Sequence, residues 1–154
     1  MSYDLQALLG KRDALQSHAA AFSSARVVSL TNGIAMIPMT NELFEEIGGD
    51  GVVDKFYKFS TAVEDWARRI SEDSPIAYVE AEYFGGVGGQ NSVAWVRGLR
   101  VLEPVHAADA INQALKILGV SAAGFAGDEF DAVGLGKYRE TESWLENRDG
   151  NNAD

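Results

Sequence analysis

The stretch from Ile76 to Gly98 constrains the fold more than any other part of the chain. Its first half, Ile76 to Phe84, is rich in aromatic and β-branched residues, and its second half, Asn91 to Arg97, is similar. Such runs are typical of β-strands. Between them, Gly85 to Gly89 contains four glycines in five residues. Two strands joined by a short glycine-rich loop predict an antiparallel hairpin, which we expect at the centre of a sheet.

The residues from Arg26 to Pro38 predict a second hairpin. Asn32-Gly33 separates two apolar runs, and this dipeptide readily adopts the positive φ angles that a two-residue type I′ turn requires. Pro38 is expected to end the second strand, because proline cannot donate a hydrogen bond to a neighbouring strand. Hairpins therefore account for most of the predicted strand pairing.

Helical spacing of apolar residues predicts several helices. The most regular one runs from Val52 to about Ser71, with apolar side chains three and four positions apart. Others are expected at Asp4 to about Ala21, Glu42 to Ile47, His106 to Leu118 and Tyr138 to Glu146. Strands that pair as hairpins, without regular alternation of strand and helix, favour an α+β domain. We therefore predict a mostly antiparallel sheet covered by helices on one face.

The chain of 154 residues is most simply a single domain, 1–154, long enough to bury about two thirds of the surface of its unfolded state. The polar segment 147–154 is predicted to be a frayed tail. The absence of cysteine excludes disulfides and thiolate chemistry. No apolar run approaches the ~20 residues of a membrane-spanning helix, and the first residues do not form a signal peptide. We therefore expect a cytoplasmic protein that does not enter a membrane.

The net charge of −10 narrows the choice of partner. Residues 41–75 and 121–154 each contribute −5. A negative field repels nucleic acid, which requires basic groups to displace its counterions, so direct nucleic-acid binding is not expected. The same field attracts a basic protein and accelerates its association. The alternative is that the acidity only keeps the protein in solution.

The glycine loop at residues 85–89 invites comparison with loops that cradle phosphate. The segment GGVGGQNS lacks the lysine of a Walker loop, and Asn91 stands where a dinucleotide fingerprint has its third glycine. A strand rather than a helix is predicted to follow, so no helix N-terminus would face the anion. We therefore interpret the loop as a hairpin tip and expect no bound cofactor.

Glu80 and Glu82 are two positions apart on the first strand of this hairpin, so their side chains project from the same face. Paired carboxylates can act as acid and base when one changes the pKa of the other. They can equally form an exposed acidic ridge that binds lysine or arginine of a partner. No histidine, lysine or serine motif accompanies the pair, and we therefore prefer the ridge.

Asp128, Glu129 and Asp131 form a second acidic group within the glycine-rich segment 121–136. This segment lacks the alternating acids and the final glutamate of an EF-hand, so a solvated acidic loop is predicted and no metal site. Neither histidine lies in a metal-binding or triad motif, and the nucleophile motif G-x-S-x-G is absent. The sequence therefore does not indicate an enzyme.

Three stretches carry a resemblance to a known class of proteins. They are GIAMIPMTNELF from Gly33 to Phe44, YVEAEYFGGVGGQ from Tyr78 to Gln90, and GDEFD from Gly127 to Asp131 with Trp144 and Leu145 beyond it. They resemble small bacterial immunity proteins of contact-dependent and other polymorphic toxin systems. The resemblance implies a compact acidic α+β protein that blocks a toxin by binding it. Immunity families differ widely in fold, so no binding residue is assigned from the resemblance.

Charge, motifs and resemblance together predict an immunity or inhibitor protein that binds a basic toxin domain, for instance a nuclease, without catalysis. The predicted contacts are acidic side chains around aromatic anchors, namely Glu80, Glu82, Asp128, Glu129 and Asp131. The alternative is a small enzyme or ligand-binding domain that uses Glu80 and Glu82 in a pocket beside the glycine loop. Stabilisation by a metabolite would favour the pocket, and a stable complex with a basic protein would favour inhibition.

Overall fold

A computed structural model describes residues 2–146 of the chain. Within these residues, six strands form one sheet in the order β2-β3-β1-β4-β5-β6, and every neighbouring pair is antiparallel. The prediction of an α+β fold with an antiparallel sheet is confirmed. The strands are β1 (Ser2–Lys11), β2 (Val28–Ser29), β3 (Ile34–Pro38), β4 (Ile76–Phe84), β5 (Val87–Val96) and β6 (Leu99–His106). The helices are α1 (Arg12–Ala19), α2 (Asn41–Ile47), α3 (Thr61–Ser71), α4 (Ala110–Ile117) and α5 (Glu129–Val133).

The N-terminal segment is a strand, where apolar spacing predicts a helix. β1 lies inside the sheet, paired with β3 on one side and with β4 on the other. Its residues 5–10 are buried, with Leu8 packed on one face and Leu5 and Leu9 on the other. A strand covered on both faces is a nearly continuous apolar run, which spacing alone does not distinguish from a helix. The helix α1 begins only at Arg12, after the strand has ended.

Helices cover both faces of the sheet, so the expectation of one covered face is wrong. On what we call the first face, α1 and α3 pack over Leu8 and Tyr78. On the second face, α4 and α5 pack over Leu9 and Val79. The cause lies in β4, where Ile76–Val79 are consecutive apolar residues, so that both faces of the strand must be covered.

The segment before α3 is an irregular loop, although a helix is predicted to begin at Val52. Lys55 has a positive φ of 71°, which is incompatible with a helical backbone at that position. The spacing misled because Phe56 and Phe59 are buried against the first face even though the backbone between them is not helical. α3 therefore starts later than predicted. We call residues 52–60 the 52–60 loop.

Both predicted hairpins are present. In the turn between β2 and β3, Asn32 and Gly33 have positive φ values of 59° and 76°, as a type I′ turn requires. The turn between β4 and β5 is Gly85-Gly86, so β5 already begins at Val87, which pairs with Phe84. The glycine loop is therefore shorter than predicted, because most of its residues belong to the strands.

The C-terminal third of the described chain covers the second face. The segment 121–136, predicted as a loop, contains the short helix α5, and a last helical turn at 143–146 lies within the predicted helix 138–146. The predicted frayed tail, 147–154, lies outside the described residues. Within residues 2–146, every helix is too short or too polar to cross a membrane.

Candidate functional site

Glu80 lies on the first face, where the 52–60 loop crosses β4. The residue is only 1% exposed. Its carboxylate accepts hydrogen bonds from the backbone N–H groups of Tyr57 and Lys58, both at 2.8 Å, and from the hydroxyl of Tyr78 at 2.7 Å. These three donors satisfy a carboxylate that is removed from water, and the two backbone donors among them fix the loop to the sheet. The expectation that Glu80 belongs to an exposed ridge is therefore wrong.

Burial is the main influence on the pKa of Glu80. Removal from water raises the pKa of this carboxyl, and the hydrogen bonds that it accepts oppose the rise without cancelling it. Burial also raises the pKa of the Tyr78 phenol, and the adjacent carboxylate adds to that effect. Among the described residues, Glu80 forms no ion pair with lysine, arginine or histidine. Neutral donors alone therefore hold this carboxyl in the protein interior.

Glu80 belongs to a row of polar side chains that crosses four strands beneath the 52–60 loop. Its neighbours in the row are Gln6 on β1, Asn91 on β5 and His106 on β6. The whole row touches the loop, and it therefore holds the loop in one position. Gln6 Oε1 accepts from Lys58 Nζ at 3.0 Å, Asn91 Nδ2 donates to the Lys55 carbonyl oxygen at 2.6 Å, and the ring centroid of His106 lies 5.5 Å from that of Phe56.

Glu82, two residues further along β4, is exposed on the same face. The hydroxyl of Tyr57 donates to its carboxylate at 2.7 Å, and this bond raises the pKa of the phenol. Directly opposite Glu82 on β1 is Asp4, which is also exposed. Neither carboxylate forms an ion pair within residues 2–146. Like charges that face each other across neighbouring strands repel, and a cation from another molecule would relieve this repulsion.

Three large side chains with apolar surface lie beside the pair formed by Asp4 and Glu82. Phe84 is 78% exposed, Val87 79% and Tyr57 56%. Phe84 follows Glu82 by two positions and pairs with Val87, so all three project from the first face. Exposed apolar groups next to charges are typical of protein interfaces. We call these five residues, Asp4, Tyr57, Glu82, Phe84 and Val87, the hairpin surface.

Of the five members of the hairpin surface, sequence reasoning named only Glu82 as a site residue. Phe84 and Val87 were placed on the predicted hairpin without a role in binding, whereas Asp4 and Tyr57 were placed in other elements. Both lie in segments that the apolar spacing assigns to helices, whereas one is in a strand and the other in a loop. The pairing of β1 with β4 places Asp4 beside Glu82, and the buried carboxylate of Glu80 places Tyr57 there. These are contacts between distant parts of the chain, and no local pattern in the sequence reports them.

A small cleft of about 270 Å³ opens beside the hairpin surface, between the 52–60 loop and β5. Glu80, Glu82 and Asn91 line it, together with Gly88. A Cβ atom at Gly88 would overlap the carbonyl oxygen of Glu82, so only glycine fits this position. β5 continues through the glycines, and no helix N-terminus follows that could bind a phosphate. The cleft is therefore the place to test the predicted pocket beside the glycine loop.

The late acidic group lies on the second face of the sheet, away from the carboxylates of β4. Asp128 caps α5, because its carboxylate accepts from the backbone N–H of Asp131 at 3.0 Å and from the side-chain amide of Asn112 at 3.0 Å. Burial would raise the pKa of Asp128, but these hydrogen bonds outweigh it and lower the pKa. Glu129 is half-buried. The five predicted acidic residues therefore do not form one surface.

Comparison with known proteins leaves the described geometry as the basis for a functional proposal. The chain matches no family model, no curated protein and no solved structure. In the part of the chain that the structure describes, no three histidine, aspartate or glutamate side chains come together in a way that could hold a metal ion.

Proposed function

We propose that this protein is an immunity-type inhibitor, which binds a basic protein such as a toxin domain and neutralises it without catalysis. The observation that carries the proposal is the hairpin surface, where Phe84 and Val87 are exposed beside the facing carboxylates of Asp4 and Glu82. Such a surface supplies apolar anchors for the centre of an interface and negative charge for its rim. Its complement is an apolar pocket flanked by lysine or arginine.

Electrostatics supports a basic partner in two ways. The net charge of −10 increases the rate at which a cationic protein encounters this one, most strongly at low ionic strength. At the surface itself, a basic side chain between Asp4 and Glu82 would replace a repulsion by two attractions. Charge thus favours both the encounter and the bound state.

The polar row beneath the 52–60 loop supports binding by preorganisation. Tyr57 is exposed, yet its backbone N–H is held by Glu80 and its hydroxyl by Glu82. Fixing a side chain before binding reduces the entropy that is lost on association. The buried carboxylate of Glu80 therefore contributes to the interface by positioning Tyr57 rather than by touching the partner.

The proposal is tested by co-expression with the product of the neighbouring gene, with growth and co-purification as readouts. We expect the parent protein to restore growth and to form a complex. The double variant Phe84→Ser/Val87→Ser should lose both properties, because it removes the apolar anchors from an exposed tip. Leu99→Ser is the matched control, since Leu99 is 67% exposed at the start of β6, where it pairs with Val96 at the end of β5 remote from the tip. Full protection by a folded double variant would contradict the role of the hairpin surface, and the absence of any complex would contradict the function.

A small-ligand site in the cleft beside β5 is the second candidate. The observation in its favour is that Glu80, with its raised pKa, lines this cleft together with Glu82. A thermal-shift screen with metabolites distinguishes the two functions. Stabilisation that Glu82→Gln abolishes and that Phe84→Ser/Val87→Ser leaves intact would favour the cleft. A complex with a basic protein and no such stabilisation would favour the inhibitor.

A further inference from the structure

A second cavity, larger than the cleft beside the hairpin surface, lies at the other edge of the sheet. It has a volume of about 540 Å³ and opens between β2 and the segment that follows α5. β2 is an edge strand, separated from β4 by β3 and β1, so the cavity is remote from the hairpin surface. Its volume falls within the range of pockets that bind small molecules. We call it the cationic cleft, lined by Arg12, Ser29, Thr31, Lys137, Tyr138 and Trp144 with apolar side chains between them.

The charge of the cationic cleft is opposite to that of the protein. Arg12 and Lys137 line it, and no aspartate or glutamate does, in a chain with 23 acidic and 13 basic residues. Neither cation forms an ion pair with a carboxylate of residues 2–146. Arg12 instead donates to the hydroxyl of Ser29, and Lys137 Nζ lies 5.3 Å from the ring centroid of Tyr138. The cleft therefore holds positive charge that the described protein groups do not neutralise.

The walls of the cleft are apolar and aromatic. Val28, Val133 and Trp144 are buried side chains that form part of its lining. The rings of Tyr138 and Trp144 pack edge to face, with centroids 4.8 Å apart. The indole N–H of Trp144 is buried and has no hydrogen-bond acceptor in the described part of the chain. The buried indole N–H of Trp66 on the first face also lacks an acceptor among residues 2–146, so only the charge and the apolar walls of the cleft indicate a ligand.

We propose that the cationic cleft binds a small organic carboxylate with an aromatic or branched apolar body. The guanidinium of Arg12 offers parallel donors that match a carboxylate, and Lys137 adds a second positive charge. The apolar walls provide for the body of the ligand, which an inorganic anion such as phosphate does not have. The volume limits the ligand to a small molecule, and the site is independent of the proposed protein interface.

The test uses the whole protein and a matched pair of probes, the aromatic carboxylate naphthoate and its neutral analogue naphthamide. Each is titrated to millimolar concentration while backbone and indole N–H shifts are followed by NMR. We expect saturable shifts at Ser29, Thr31, Lys137 and the indole of Trp144 with naphthoate. Naphthamide should bind about tenfold more weakly, because it lacks the charge that the two cations recognise.

Variants of Arg12 and Lys137 test whether these two cations cause the preference for naphthoate. Arg12→Gln and Lys137→Gln should each lower the affinity for naphthoate about five- to tenfold. Lys116→Gln, on the exposed side of α4, should leave this affinity unchanged. The proposal is overturned if naphthoate gives no saturable shifts, if naphthamide binds equally well, or if both rim variants bind like the parent. The probe pair decides the question even if a variant proves unstable.

Discussion

Both ends of the hairpin formed by β4 and β5 carry large aromatic side chains, but the two ends lie in opposite environments. At its base, Tyr78 and Trp95 are completely buried between the sheet and the helices of the first face. At its tip, Phe84 and Val87 are among the most exposed apolar side chains of the described protein. Glu80 lies between the two ends and is the last side chain that β4 buries on this face. The base therefore holds the fold together, and the tip remains available for another molecule.

The largest expected effect is at the base of the hairpin. Trp95→Ala should lower the free energy of unfolding by about 3–5 kcal/mol, because it leaves a large cavity in the core. It also removes the indole N–H that donates to Glu64 at 2.9 Å. Urea denaturation measures the change. Phe84→Ala is the control at the tip and should change stability by less than about 0.5 kcal/mol. Similar losses in both variants would remove the distinction between base and tip.

Substitution of Glu80, which lies between the base and the tip, should have an intermediate effect on stability. Glu80→Ala leaves the backbone donors of Tyr57 and Lys58 and the hydroxyl of Tyr78 without their acceptor, and should lower the free energy of unfolding by about 2–3 kcal/mol. Glu82→Ala, on the same strand and face, should be nearly neutral. Hydrogen exchange at Tyr57 and Lys58 should accelerate only in the first variant. Unchanged exchange there would show that Glu80 does not hold the 52–60 loop.

Glu80 and Glu64 should affect the pH dependence of stability in opposite directions. Burial raises the pKa of Glu80, so the stability that it contributes is present below the unfolded pKa and is lost as the pH rises through the folded pKa. The variant Glu80→Gln cannot ionise. Its deficit relative to the parent, measured by urea denaturation at a series of pH values, should therefore be largest at acidic pH and should narrow as the pH rises toward neutrality.

Glu64 provides the comparison of opposite sign. Burial would raise the pKa of Glu64, but hydrogen bonds from Arg100 and Trp95 outweigh it and lower the pKa. Its contribution is present above the unfolded pKa and is lost as the pH falls through the folded pKa. The deficit of Glu64→Gln should thus narrow toward acidic pH. Parallel pH profiles for the two Gln variants would contradict the distinction between a carboxyl held by neutral donors and one paired with arginine.

The smallest expected effect is at the facing carboxylates of the hairpin surface. Asp4→Asn removes one of two like charges across neighbouring strands and should raise the free energy of unfolding by about 0.3–0.5 kcal/mol at low salt. The gain should disappear at high salt, where the repulsion is screened in the parent as well. Asp13→Asn, an exposed position on α1, serves as the control. A gain that salt does not change would have another cause.

Local signals predicted the parts of the fold that local chemistry determines. The Asn32-Gly33 turn lies where the sequence indicates, and α2 begins within one residue of the predicted start at Glu42. β1 and the 52–60 loop were assigned wrongly, because each is defined by partners far away in the chain. Buried apolar residues occur in both, and apolar spacing does not record whether they lie on one helix or on two sides of a sheet.

Contacts between distant parts of the chain also determine the candidate site, and local patterns did not predict them. The sequence placed Glu80 and Glu82 on one face of one strand, and this geometry is present. It did not show that the 52–60 loop buries one of them and leaves the other exposed, because that difference depends on where the loop crosses the strand. The late acids were separated from this site for a related reason, since α5 packs on the other side of the sheet.

The central claim is that the tip of the hairpin binds a protein partner while its base maintains the fold. Calorimetric titration of the neighbouring gene's product against the parent and Phe84→Ser/Val87→Ser tests this claim most directly. We predict that the double variant loses roughly 100-fold or more in affinity with an unchanged free energy of unfolding. Leu99→Ser should stay within about twofold of the parent. Equal affinities of the parent and the double variant would contradict the claim.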